Sequence, residues 1–256
     1  NVINLAVIMA EVPPRPYGED KEVVTMELQH LAQTAHSRGA IFVLDEIVTG
    51  LRYGTGGAQA YYGVQADMAT MSKALGNGYP IAALLGPRSL MQAFDGGAVF
   101  LSTTFGASPI GLAACKATLE TLRDTDALSQ LMYHGNAFAT CASAQLYFSP
   151  QCPITLRGNW ARMVFDFEDV PTCATAAQLR TLWLQEIISG GVLAGVPWFP
   201  MCAWDDEAVA HANGAIAQAL MVIGEVIRGR VDIKDALHCP PIEDVFQSRY
   251  TSQERA

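Results

Sequence analysis

The first part of this chain contains four apolar runs without a charged residue, at residues 5–9, 41–44, 68–71 and 81–85. A strand that is buried on both faces of a parallel sheet shows such a continuous run, because neither of its faces meets water. Helical patterns lie between the runs, and alternating strands and helices are typical of an α/β domain. We therefore predict a mostly parallel sheet within residues 1–125.

Two helices in this part of the chain carry recognisable signals. In the first, apolar residues recur at spacings of four, three and four, as on one face of a helix: Val24, Leu28, Leu31 and Ala35. Gly39 follows as a C-terminal cap. The second helix is predicted to begin at Ser108-Pro109, because serine is a good N-cap and proline suits the first helical position.

The pattern changes near residue 126. Residues 162–167 alternate in polarity like a half-buried strand, and a helical pattern follows at residues 179–187. A long apolar helix is predicted to begin at a cap formed by Asp205-Asp206. We predict a small α+β domain over residues 126–256, with an irregular tail after Gly229.

The composition argues against nucleic acid and membranes as binding partners of this chain. A formal net charge of −9 leaves no general basic surface, so we expect no nucleic-acid partner. The long uncharged stretches at residues 96–115 and 129–156 are broken by Gly, Ser, Thr, Gln or Pro, so we expect no membrane span. Six scattered cysteines form no metal-ligand spacing and are typical of a reduced, cytoplasmic protein.

Lys73 and Asp45 are the main chemical candidates. Lys73 lies between the apolar run at residues 68–71 and a glycine-rich turn, and Asp45 follows the run at residues 41–44. A lysine in apolar surroundings can act as a nucleophile, because its charged form is disfavoured there. Ligands in open α/β sheets gather at the carboxyl ends of strands. A Schiff-base lysine and an aspartate that holds a pyridinium are the two protein groups that pyridoxal phosphate requires.

Simpler interpretations of both residues stay open at this point. The pair Asp45-Glu46 could cap the next turn, or form a Walker-B-like magnesium site, or supply the pyridinium partner. The magnesium interpretation requires a G-x-x-x-x-G-K-[ST] loop, and this sequence has none. Gly76 and Gly78 follow Lys73 rather than precede it. Lys73 could be an ordinary surface lysine. Its position between an apolar run and two glycines, which form a backbone suited to close approach by a ligand, favours the Schiff-base interpretation.

Hydroxyl side chains cluster just before the second predicted helix, in residues 102–109 (STTFGASP). A glycine turn with hydroxyls at a helix N-terminus suits an anion such as phosphate. Serine and threonine before a helix are more often only caps, so the segment has two interpretations.

Four segments together resemble the class III pyridoxal-phosphate aminotransferases. They are residues 41–52 (IFVLDEIVTGLR), 56–64 (GGAQAYYGV), 72–80 (SKALGNGYP) and 104–114 (TFGASPIGLAA). Within that family the likeness is to glutamate-1-semialdehyde aminomutase and its relatives. The order and spacing of the segments match through most of residues 5–125, which is more specific than any single motif.

The resemblance implies a fold-type-I pyridoxal-phosphate transferase, with the C-terminal part of the large domain at residues 1–125 followed by the small domain. It implies that Lys73 forms a Schiff base with pyridoxal 5′-phosphate, that Asp45 pairs with the pyridine nitrogen, and that Ile47 packs on the ring. Thr104 matches a threonine that reaches the phosphate in the neighbouring subunit, which implies a homodimer with shared active sites. The implied reaction is that of an aminotransferase or aminomutase on a small amine or amino acid.

The chain departs from the family in two loops and in length. Residues 10–13 (AEVP) stand where the family usually has Glu-Pro, and residues 107–109 (ASP) replace Gly-Asn-Pro. The family's N-terminal half, which supplies a phosphate loop and a ring-stacking aromatic residue, has no counterpart here. The chain also begins at Asn1, just before an apolar run. We therefore expect a fragment of a longer enzyme, and the alternative is a truncated, non-catalytic remnant that packs against a partner chain.

Overall fold

Two separate β-sheets organise the chain, one in each of two compact units, Asn1–Gln130 and Leu131–Ala256. The structure is a computed structural model that describes residues 4–18, 21–95, 97, 99–100, 106–195 and 197–242. The sequence placed the division at residue 125, a few residues before the division in the structure. The assignment of a cofactor-binding domain and a small domain to these units stays a prediction.

The first unit contains a four-stranded sheet in the order β1-β2-β3-β4. The first three strands are parallel and β4 is antiparallel to β3. In chain order the elements are β1 (Val7–Glu11), α1 (Lys21–Ser37), β2 (Ile41–Glu46), α2 (Gly57–Tyr62), β3 (Met68–Met71), β4 (Ala83–Leu85), α3 (Arg88–Met91) and α4 (Pro109–Asp124). Short 3-10 turns occupy Gly50–Arg52, Lys73–Leu75 and Gln92–Phe94.

The second unit contains a three-stranded antiparallel sheet in the order β5-β6-β7. Helix α5 (Ala127–Tyr147) begins at the end of the first unit and continues into the second. The other elements are β5 (Ile154–Asn159), β6 (Arg162–Phe167), α6 (Ala176–Ser189), β7 (Pro197–Trp198), α7 (Asp206–Ile227) and α8 (Ile233–Ala236).

The strands of the first unit largely follow the apolar runs. Strand β3 has the predicted bounds, β2 continues through Glu46, and β1 begins at Val7 rather than at residue 5. The run at residues 81–85 forms only the short antiparallel β4.

The prediction that all four strands are buried on both faces is wrong for the strands at the sheet edges. Helices α1 and α2 pack on the face that presents Phe42 and Leu44, and these side chains form one core cluster with Leu28. On the opposite face of β1, Val7 and Met9 are 43% and 52% exposed. An uncharged run therefore predicts a strand, but it does not tell whether both faces are covered.

The helices begin and end close to where the sequence predicted. Helix α1 buries Val24, Leu28 and Ala35, while Leu31 is only partly buried. Helix α4 begins at Pro109 with Ser108 as its N-cap residue, although the serine side chain makes no capping hydrogen bond.

In the second unit, the side chains of β6 pack against α6 and against aromatic neighbours. Met163 and Phe165 are fully buried, and the Phe165 ring lies 4.8 Å from that of Trp183 on α6. The sequence predicted β6 and α6 but missed β5 and the short β7. The predicted irregular tail contains the short helix α8, whose N-cap is Asp232.

Among the described residues, α7 is the one helix that is long and apolar enough to cross a membrane. Its 22 residues begin after Asp205, whose carboxylate accepts a hydrogen bond from the Ala208 N–H at 2.8 Å. The apolar side chains of its inner face are buried in the second unit, including Val209, Ile216 and Ile223. This is the pattern of a core helix with one apolar stripe.

Candidate functional site

Asp45 lies near the carboxyl end of β2, inside the strand rather than after it. Its Oδ1 accepts two hydrogen bonds, one from the Ile47 N–H and one from the Thr70 hydroxyl, each at 3.0 Å. Thr70 stands directly opposite Asp45 in the parallel pairing of β2 with β3. The half-buried carboxylate is therefore held both by its own loop and by the neighbouring strand.

Glu46 has a different role from Asp45, because successive residues of a strand point to opposite faces. Its side chain is almost completely buried, and its two oxygens accept hydrogen bonds from the first turn of α2: Ala58 N at 2.5 Å and Gln59 N at 3.2 Å. Burial raises the pKa of the Glu46 carboxyl, and these backbone donors partly oppose the rise. Glu46 thus caps α2, whereas the carboxylate that binds the turn directly after β2 is that of Asp45.

The close contact between Glu46 and α2 requires glycine at residue 57. Gly57 has φ of +73°, and a Cβ there would lie 2.5 Å from the Glu46 Oε1. Both oxygens of Glu46 bind backbone N–H groups of α2, so they are not presented to a magnesium ion. No group of three or more His, Cys, Asp or Glu suited to a metal ion occurs in the part of the chain that the structure describes.

Lys73 lies two residues after the end of β3 and has an unusual backbone. Its φ is +44°, in the left-handed region that a non-glycine residue adopts only at a cost of about 1–2 kcal/mol. The side chain is exposed, so the prediction that Lys73 lies in apolar surroundings is wrong for the part of the chain that the structure describes. Non-glycine residues in such conformations cluster at functional sites, where the surrounding structure enforces them.

The loop after β3 is held by its own hydrogen bonds. The Lys73 carbonyl accepts from Gly76 N at 3.2 Å and from Asn77 N at 3.0 Å, and the Ser72 hydroxyl donates to the Ile81 carbonyl at 2.7 Å. These bonds join the two ends of the loop and enforce the turn that begins at Lys73.

Gly76 in this loop, and Gly111 in α4, allow two parts of the chain's own backbone to approach each other closely. A Cβ at Gly76 would lie 2.2 Å from the Tyr79 carbonyl oxygen, and one at Gly111 of α4 would lie 2.8 Å from the Pro80 carbonyl oxygen. The sequence suggested that the loop glycines allow a ligand to approach. For Gly76 that role is not needed, because the close approach is between two parts of the backbone. Gly78, at φ +108°, has open space around it.

Three of the four predicted site residues lie at one edge of the sheet. Strands β2 and β3 are adjacent and parallel, so Asp45, Ile47 and Lys73 all lie at the carboxyl ends of neighbouring strands. Ile47 is half-buried just beyond β2. The fourth residue, Thr104, lies outside the residues that the structure describes.

Two contributors to this edge were missed from the sequence. Thr70 is the one hydroxyl residue in the apolar run of β3, and a hydroxyl in a half-buried strand needs a hydrogen-bond partner. That signal could have identified it. Glu46 was considered only together with Asp45, although the period of two in a strand already separates them.

Comparison with protein-family models matches residues 23–220 to aminotransferase class-III. Two similar proteins are both glutamate-1-semialdehyde 2,1-aminomutases. That of Methanocaldococcus jannaschii is 42% identical over 220 residues, which cover 79% of this chain and 48% of the relative. That of Methanococcus maripaludis strain C7 is 40% identical over 215 residues, covering 75% and 47%. This chain therefore spans about half the length of the curated relatives it matches.

Solved structures show the same fold at lower identity. A β-phenylalanine aminotransferase from Variovorax paradoxus has a TM-score of 0.73 at 22% identity, covering 86% of this chain and 53% of that one. The ornithine aminotransferase from Toxoplasma gondii has a TM-score of 0.73 at 21% identity, covering 89% and 53%. These likenesses confirm the fold class predicted from the sequence.

Glu46→Gln tests the buried carboxylate. The pKa of Glu46 in the folded chain lies above its ordinary value of 4.5, so its contribution to stability is complete below that pH and is lost as the pH rises through the folded-state pKa. Glutamine does not titrate. The free energy of unfolding of the variant, relative to the wild type, should therefore rise in urea titrations as the pH increases from 4.5 through the folded-state pKa. A difference that stays constant over this range would contradict the raised pKa.

Lys73→Gly and Lys73→Ala test the strained backbone. Both substitutions remove the amine, but only glycine adopts a φ of +44° without a steric cost. The glycine variant should have the larger free energy of unfolding, by about 1 kcal/mol in urea titrations. Lys116, inside α4, is the matched control, since there alanine should be the more stable by about 1 kcal/mol. The same order at both positions would show that Lys73 is not strained.

Proposed function

Because the chain belongs to the class-III aminotransferase family, we propose that it moves amino groups with pyridoxal 5′-phosphate as its cofactor. The observation that carries the proposal is the position of Asp45 and Lys73 at the ends of two adjacent parallel strands. An aspartate and a primary amine at one sheet edge are the two protein groups that this cofactor requires. The relatives are aminomutases by name, and the neighbouring folds are aminotransferases by title.

The residues at the edge suit the cofactor. Within the described residues, both hydrogen bonds to the Asp45 carboxylate go to Oδ1, and Oδ2 accepts none. A ring N–H could donate to that oxygen. Lys73 presents an exposed amine on a backbone that its loop hydrogen bonds restrain. The half-buried Ile47 offers an apolar side chain beside them, suited to packing on a ring.

Each residue then has a defined task. When bound, pyridoxal phosphate supplies an electron sink that makes a carbon-bound proton of the substrate acidic. Asp45 would hold the proton on the ring nitrogen. Lys73 would hold the cofactor through its amine, and the free amine would take and return the substrate proton as general base and acid. We retain Thr104 as a phosphate contact on the strength of the family resemblance.

The substrate that we propose is a small amino acid or a related amine. The names of the relatives refer to glutamate-1-semialdehyde, a compound in which an amino group migrates within one molecule. Transfer between two molecules uses the same set of groups, so both reactions fit the site. We place this activity in the cytoplasm, since all six cysteines are free thiols.

We further propose a homodimer. Helix α4 buries only Gly111 of its residues, while Leu112 is 50% exposed and Leu119 is 39% exposed. These leucines are seven residues apart and share one helix face. Apolar residues on one exposed helix face suit an interface, and together with the family resemblance they lead us to propose that a second copy of the chain covers this face.

Reduction with borohydride tests the role of Lys73. The purified chain, mixed with pyridoxal phosphate, should show a visible absorbance band, and borohydride should then fix the cofactor's mass on the peptide that contains Lys73. The chain has only four lysines, so peptide mapping separates Lys73 from Lys21, Lys116 and Lys234. Lys73→Ala should lose both signals, while Lys116→Ala should keep them. A band that survives in Lys73→Ala would overturn the proposal.

Sedimentation velocity tests the homodimer. The wild-type chain should sediment as a dimer, and the double variant Leu112→Glu, Leu119→Glu should shift it to a monomer, because two buried charges in an interface are strongly unfavourable. Thr121→Glu adds a charge on the opposite side of the same helix and should leave the dimer intact. A wild-type monomer at micromolar concentration would contradict the prediction.

A further inference from the structure

The carboxylate of Asp45 is engaged unevenly. Both of its recorded donors, the Ile47 N–H and the Thr70 hydroxyl, bind the same oxygen, Oδ1, at 3.0 Å. The first bond is local, because Ile47 is two residues further along the chain, and such bonds form readily in turns after Asp. The second bond is long-range, since Thr70 belongs to another strand.

The local bond alone leaves the carboxylate able to turn about its side-chain torsions. A second donor from a different direction restrains it, so that Oδ1 stays occupied and Oδ2 remains available. Thr70 is itself fixed, because β2 and β3 pair in register at this position. The strand that supplies this hydroxyl also leads, three residues later, into Lys73.

We propose that Thr70 is a positioning residue that orients Asp45 and so directs Oδ2 to the ring nitrogen of the cofactor. The inference rests on the proposed function for the ligand, but the orientation of Asp45 is a property of the chain itself. Thr70 does not contact the reacting atoms in this account. It acts through Asp45, and it couples the orientation of the carboxylate to the strand that carries Lys73.

The test measures the affinities of two ligands for the wild-type full chain and for three variants of it. One ligand is pyridoxal phosphate, and the other is its carbocyclic analogue, in which C–H replaces the ring nitrogen. Thr70→Val keeps the shape of the side chain but removes the hydroxyl, and should weaken pyridoxal phosphate binding about tenfold, as expected for a lost hydrogen bond to a charged group. The analogue has no N–H for Asp45 to meet, so its affinity should not change.

Two controls isolate the hydroxyl. Thr70→Ser keeps an O–H and should restore wild-type binding of pyridoxal phosphate. Thr118→Val removes a hydroxyl that donates within α4, to the Ala114 carbonyl, and should leave both affinities unchanged. Equal losses of both ligands in Thr70→Val would show a merely structural role and would overturn the proposal, as would no loss of either.

A second measurement needs no cofactor. Without the Thr70 hydroxyl, the carboxylate is less restrained as the acceptor for the Ile47 N–H, so hydrogen exchange at the Ile47 amide should be several-fold faster in Thr70→Val than in Thr70→Ser. Unchanged exchange would contradict the positioning role. If the wild-type chain binds no pyridoxal phosphate, the proposed function fails, and the exchange measurement still decides whether Thr70 orients Asp45.

Discussion

The parallel register between β2 and β3 is the constraint on which the candidate site depends. It places Asp45 opposite Thr70, and it brings the segment that follows β3 to the same sheet edge. Residues that are far apart in the sequence thereby meet at the carboxyl ends of neighbouring strands, where open α/β sheets hold their ligands. A shift of this register by one residue would turn Asp45 to the opposite face of the sheet from Thr70.

The alternation of a strand also separates the two acidic residues that end β2. Asp45 remains half-buried and available, whereas Glu46 points into the face that α1 and α2 cover and binds the first turn of α2. A buried carboxylate is costly unless it is hydrogen-bonded, and the backbone donors of α2 meet that need. One carboxylate therefore shapes the fold, and its neighbour remains the candidate for the proposed chemistry.

The loop after β3 shows how close packing and backbone strain support the site. The contact between Gly76 and the Tyr79 carbonyl closes the turn tightly, and the hydrogen bonds from Gly76 and Asn77 to the Lys73 carbonyl hold Lys73 in its left-handed conformation. Strained residues persist where the surroundings enforce them, and they are frequent at functional sites.

Much of the first unit could be predicted from the sequence, because uncharged runs and helical spacing depend on neighbouring residues alone. The sequence alone also identifies Lys73 and Asp45 and shows that each follows an apolar run. Which strand faces are covered could not be predicted, since that depends on helices elsewhere in the chain. Only the tertiary structure decided that Thr70 restrains Asp45, because the two residues are 25 positions apart and a strand register, not a local pattern, brings them together.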